Sequence, residues 1–263
     1  MEKLAEFSKR YPHGHRFWRL VQYLRTNPSL LRTLQRVKKG ESLPPQEFVE
    51  LGLVKDGELS ELGLEILKYF DKRAKQVEEA IRRLRTRERA SEDLMELGLS
   101  VNEMELKSGK FRRIVSKEVE YLLDKLGIPH KKTDSYFWIR IGNDVYTSPR
   151  KVDKTIPGPV NPEVIIEIKE YWGEKAGGSK MTNAIYETLA VASVLKKARR
   201  CGYSARYVII LDGRKQWQSR KSDLGRFLDL LNSGVIDELL CGEEISEGIR
   251  KLACSIKSSR CHP

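Results

Sequence analysis

The chain has 263 residues, 40% of them apolar and 33% charged, a balance that fits a folded protein and excludes a disordered or collagen-like one. Its 49 Lys and Arg residues outnumber its 37 Asp and Glu residues for a formal charge of +12, so the expected partner is a polyanion. No apolar run reaches transmembrane length, the opening MEKLAE lacks a signal-peptide core, and four scattered cysteines form no C-x-x-C pair; a cytoplasmic protein with no zinc site and no membrane partner is expected.

The first half reads as helical. Phe17, Leu20, Val21 and Leu24 recur at helical spacing, and Asn27-Pro28-Ser29 ends that helix and starts another over 30–37. Residues 42–67, SLPPQEFVELGLVKDGELSELGLEIL, give a short helix, a Gly-containing turn and another helix, an order that resembles part of a winged helix-turn-helix as well as an ordinary helical hairpin. Leu62, Ile66, Phe70, Ala74, Val77, Ile81 and Leu84 then form one long apolar stripe. Its end carries Arg82, Arg83, Arg85, Arg87 and Arg89, which read either as a phosphate-facing arm or dimer helix, or as a solvated face. Residues 1–107 are therefore expected to be an N-terminal helical module with a spacer helix, and residues 108–263 a second domain.

The pattern changes near residue 108. Residues 111–126 predict an amphipathic helix ended by Gly127. SYFWIRIG (135–142) alternates as a strand does, with VYTSPRKVD (145–153) as its hairpin partner. Pro157-Gly158-Pro159 breaks the chain before an apolar strand over 164–172. A helix over about 180–199, a strand over 205–213 and further helix follow, which predicts an α/β fold around a mixed sheet.

The 164–172 strand poses a chemical problem. Glu167 and Lys169 project from the same face of a run otherwise rich in Val and Ile, and neither residue type is buried without partners. Asp153 precedes them across the Pro-Gly-Pro turn. Two carboxylates on neighbouring strands, with a main-chain carbonyl such as that of Ile168, suit a hard cation like Mg²⁺.

Asp153 and Glu167-Ile168-Lys169, set in this order of elements, resemble the PD-(D/E)xK nuclease superfamily over roughly residues 108–240. The resemblance implies a restriction-endonuclease-like core flanked by helices, with Asp153, Glu167 and Lys169 catalytic and Asp153, Glu167 and Ile168 holding Mg²⁺, or Mn²⁺ in its place. It also implies an acidic residue from the preceding helix, with Glu118 ranked ahead of Glu120. Val152 stands where the motif has Pro, so Asp144 and Asp134 remain alternative first carboxylates. Lys175 and Lys180 after the strand, and Arg214, Lys215, Arg220 and Lys221 in a loop over 212–223, are candidate DNA contacts. The whole resembles a type II restriction enzyme: an Mg²⁺-dependent, sequence-specific endonuclease acting on double-stranded DNA as a homodimer. Two alternatives are a repair or junction-resolving nuclease, and a winged-helix DNA-binding regulator whose nuclease-like core is inactive.

Overall fold

A computed structural model describes residues 1–99, 114–173 and 178–261. The chain divides into two compact units.

Residues 3–76, with 232–234, form the first unit. It holds helices α1 (Ala5–Arg10), α2 (Arg16–Thr26), α3 (Pro28–Lys38) and α4 (Gln46–Glu50), strands β1 (Val54–Lys55) and β2 (Glu58–Leu59), and most of helix α5 (Glu61–Arg83). Pro28 opens α3 at a position whose N–H has no helical partner, which is why the chain restarts there at once. Asp56 and Gly57 both have positive φ, as a tight turn between two antiparallel strands requires. Segment 42–67 is thus helix, short hairpin and helix, a two-stranded ribbon standing where a plain turn would do. Phe7, Phe17, Trp18, Phe48 and Tyr69 fill this unit's core.

Residues 77–231 and 235–263, with 1–2, form the second unit, so the boundary falls inside α5 and not at residue 107. The physical reason lies in the apolar stripe: Val77, Ala80, Ile81 and Leu84 pack into the core of the second unit. Beyond α5 come α6 (Arg87–Glu96), α7 (Ile114–Lys125), β3 (Trp138–Ile141), β4 (Asp144–Thr147), β5 (Lys154–Ile156), β6 (Val164–Glu170), α8 (Ser179–Arg200), β7 (Arg206–Asp212), α9 (Arg214–Ser219), α10 (Lys221–Asn232), β8 (Glu238–Cys241) and α11 (Ile245–Cys261). Among the described residues no helix is long and apolar enough to cross a membrane.

The second unit is a mixed α/β fold. Its main sheet has the order β5-β6-β7-β8, with β5 antiparallel to β6 and the other pairs parallel. Residues 164–166 of β6 and 207–211 of β7 are apolar on both faces because both faces are covered. Ile165, Tyr207, Ile209 and Leu211 meet Ala184, Val191 and Leu195 of α8 and Phe227 and Leu228 of α10. Ile166, Val208 and Ile210 meet Val119 and Leu122 of α7 and Ile249 and Leu252 of α11.

Two expectations need correction. The hairpin pairs β3 with β4 as a separate two-stranded ribbon ending at Thr147, and it is the three-residue β5, beginning just after Asp153, that lies against β6. Nor does the arginine run form one continuous face: Arg82 and Arg89 are exposed, whereas Arg83 and Arg85 are engaged within the unit. Arg83 bonds Glu79 and Glu244, and Arg85 is only 2% exposed.

Candidate active site at the edge of the main sheet

β5 and β6 pair Lys154 with Ile166. One residue further along the same antiparallel register sets Asp153 opposite Glu167, and the Ile168 N–H donates to Asp153 Oδ2 at 2.7 Å. The spacing read in the sequence is therefore realised in space: Asp153, Glu167 and Lys169 come together at the β5 edge of the sheet.

Glu167 is wholly buried, at 0% exposure, so the pair is not a salt bridge on a solvated sheet face. Its carboxylate is surrounded by donors. Lys169 Nζ lies 2.6 Å from Oε2, Arg150 Nη1 donates to Oε2 at 2.9 Å, and the Tyr207 hydroxyl donates to Oε1 at 2.8 Å. Lys169 and Arg150 also reach Glu187 Oε2, at 2.8 and 2.9 Å. Two cations and two carboxylates thus alternate around a closed ring, which offsets the cost of burying Glu167.

The surroundings fix the protonation states. Burial works against the Lys169 ammonium, but the Glu167 and Glu187 carboxylates outweigh it and raise its pKa, so Lys169 stays charged. Burial, reinforced by Glu167, holds the Tyr207 hydroxyl well above its usual range, which keeps it a donor. Burial pushes the Asp153 carboxyl up to about 6 despite the Ile168 N–H bond.

Asp153, Ile168 and Lys169 form part of the wall of a cleft of about 1160 Å³, together with Arg150, Lys180, Asn183 and Glu187. Glu167 lies behind that wall. Lys117 and Lys132, from the α7 side, also border the cleft.

Three partners of this site were missed in the sequence. Tyr207 reaches it across the β6–β7 pairing, where it stands in register with Ile165, a relationship no spacing rule supplies. Arg150 comes from the segment between β4 and β5. Glu187 had a usable signal: Lys180, Asn183 and Glu187 step by three and four along the first half of α8, one polar stripe.

Other expected residues are placed elsewhere. Glu118 does not join the site: it is 2% exposed, bonded to Arg85 at 2.8 Å and Ser246 at 2.9 Å. Glu120 is the one of the two that lines the cleft, paired with Lys154 at 2.9 Å. Val115 and Val119 point the apolar stripe of α7 at the sheet, and Glu118 lies next to that stripe, not on the cleft side. Asp134 borders the cleft, whereas Asp144 is exposed at the start of β4.

The expected DNA-contacting loop is not a loop, since α9 and α10 occupy most of it. Trp217 is fully buried and anchors α9 by donating to the Asp212 carbonyl at 3.1 Å. Arg214 closes the end of α5 through the Leu84 and Arg82 carbonyls, and Arg220 is held by Asp223 and Thr182. Lys215 is exposed on α9, and Lys221 is exposed and paired with Glu78 at 2.7 Å. Lys180 is the expected contact that reaches the cleft, while Lys175 lies outside the described residues.

Among the described residues no three acidic, His or Cys side chains converge as a preformed metal cluster. The expected donor set is Asp153, Glu167 and the Ile168 carbonyl, with both Glu167 oxygens engaged by Lys169, Arg150 and Tyr207. All three donors are oxygens, and two are charged, which is the chemistry a hard divalent cation takes.

A family model described as a domain of unknown function, DUF7687, matches residues 72–256. Neither the curated proteins nor the solved structures compared with the chain give a match. Since the matched region takes in well over half of the sequence, the chain belongs to the DUF7687 family.

Proposed function

We propose that this protein is a divalent-cation-dependent nuclease of the PD-(D/E)xK kind that hydrolyses phosphodiester bonds in double-stranded DNA. One observation carries the reading: Asp153 stands opposite the buried Glu167, and Lys169, two residues on, joins Asp153 in the wall of a large cleft. Asp153, Glu167 and the Ile168 carbonyl would hold Mg²⁺ or Mn²⁺. Bound there, such a cation neutralises charge on the reacting phosphate and makes a water molecule more acidic.

The protein's own residues supply the rest. Lys169 is fixed as an ammonium by Glu167 and Glu187, so its positive charge is in place before substrate arrives. The cleft wall carries acidic and basic side chains in equal number, Lys180 among the latter, so the preference for a polyanionic backbone rests on the net charge of +12. Site-specific cutting of both strands by a homodimer, as in a type II restriction enzyme, is the particular form we propose, and it rests on the sequence resemblance.

A second reading is a DNA-binding regulator with an inactive core. It is favoured by the complete enclosure of Glu167 and by the hairpin β1–β2 between α4 and α5.

Incubating the protein with plasmid and phage DNA, in Mg²⁺ or in EDTA, separates these readings on a gel. Discrete bands in Mg²⁺ alone are the expected result. A smear would replace the restriction reading with a repair or nonspecific nuclease. Intact DNA that is nonetheless retarded in a binding gel would favour the regulator.

A further inference from the structure

Arg150 occupies an unusual position in the ring around Glu167. Its Nη1 lies 2.9 Å from both Glu167 Oε2 and Glu187 Oε2, so one guanidinium nitrogen bridges the two carboxylates. The other cation of the ring, Lys169, is held on a central strand with its side chain 8% exposed. Arg150 comes from the irregular segment ahead of β5, and its side chain is 34% exposed. Of the two, Arg150 is therefore the one with room to leave. Its departure would open the Glu167 carboxylate toward the cleft that Arg150 itself lines.

We propose that Arg150 is the internal countercation of Glu167 and Glu187 in the free protein and a phosphate-binding residue in the loaded one. The inference rests on the nuclease reading and deepens it. The ring of Arg150, Lys169, Glu167 and Glu187 is formally neutral. With Asp153 the cluster carries −1; a divalent cation at Asp153 and Glu167 takes it to +1 while Arg150 stays and to 0 once Arg150 leaves, so cation and guanidinium compete for Glu167. A released guanidinium carries a planar fork of donors that matches two phosphate oxygens, and it does so without changing protonation. Lys169 keeps Glu187 as a partner throughout, so it does not have to move.

The test compares the full-length chain with R150Q, R150K and E167Q, using Mn²⁺ alone and then random-sequence duplex DNA in Ca²⁺. Free Mn²⁺ is read by electron paramagnetic resonance, and circular dichroism confirms folding. R150Q is expected to bind Mn²⁺ about tenfold more tightly than the parent chain, the loss of one charge-assisted competitor. It is also expected to lose the gain in DNA affinity that the divalent cation gives the parent. R150K keeps a charge but not the fork; should R150Q fail to fold, R150K decides, and it is expected to lose the same gain in DNA affinity. A merely structural Arg150 would leave Mn²⁺ affinity unchanged or weaker in R150Q, or leave the DNA gain intact in R150K, and either result overturns the proposal. E167Q separates the two levels. If E167Q abolishes Mn²⁺ binding and R150Q does not tighten it, the Arg150 inference falls alone. If the parent chain shows no Mn²⁺ binding that depends on Glu167, the nuclease reading falls and this inference with it.

Discussion

The Lys169 ammonium lies 2.6 Å from the Glu167 carboxylate, although both side chains leave the same strand from positions two residues apart and both are buried. Side chains that share a strand face ordinarily stand side by side and fill space. Here they face a third group, Asp153, placed across the β5–β6 pairing. The Glu167→Gln substitution keeps the shape and two of the hydrogen bonds but removes the charge. It is expected to lower DNA cleavage by about a thousandfold or more while leaving metal-free DNA affinity within a few-fold, as judged by cleavage kinetics in Mg²⁺ and a binding gel in EDTA on the same preparation. Cleavage at the parental rate would remove Glu167 from the site.

Lys169→Met tests the other half of the pair. Glu167 retains Arg150 and Tyr207 as donors, so the variant is expected to fold. Its single-turnover cleavage rate is expected to fall by about a hundredfold or more, since a fixed positive charge beside the phosphate is lost. An unchanged rate would leave Lys169 with a structural role only.

Glu118 and Glu120 are two residues apart on α7 and have opposite duties. Arg85 donates to Glu118, Asp212 and Asp93 at 2.8–2.9 Å, and all but Asp93 are almost fully buried. Arg85→Met leaves Glu118 and Asp212 as buried charges without their shared cation, and is expected to cost about 3–5 kcal/mol in urea unfolding. Glu118→Gln is expected to lower stability without slowing cleavage by the folded protein. A Glu118→Gln variant of parental stability and impaired cleavage would return Glu118 to the site.

Gly213 follows β7 with φ +101°, and a Cβ there would lie 2.0 Å from the Tyr171 carbonyl oxygen. Backbone atoms leave that oxygen no easy retreat, because the Tyr171 N–H donates to the Asp212 carbonyl at 3.1 Å. Gly213→Ala is expected to destabilise the fold by roughly 2–4 kcal/mol, from backbone strain and overpacking together. A thermal unfolding midpoint equal to the parent's would contradict this account of the β6–β7 strand ends.

Much of the second unit was legible because its signals are local. The apolar runs at 164–172 and 205–213 are bounded by Pro and Gly, and they are β6 and β7. The helix expected over 180–199 is α8, nearly to the residue. What stayed hidden depends on tertiary partners. The three-residue β5 is too short to show a period, so in the sequence Asp153 reads as the end of the β3–β4 hairpin. A basic run over 212–223 looks like a surface loop until Trp217 is seen to be buried and Arg214 to cap α5. The pair Asp153 and Glu167 could be read from spacing along two strands. Arg150, Glu187 and Tyr207 could not be joined to it in that way, since each arrives from a different element.

The most direct measurement is cleavage of plasmid and phage DNA by the parent chain and Glu167→Gln side by side, in Mg²⁺ and in EDTA. The account predicts discrete fragments from the parent in Mg²⁺ only and intact DNA from the variant. DNA left whole by the parent in Mg²⁺, or cut equally well by the variant, would contradict it.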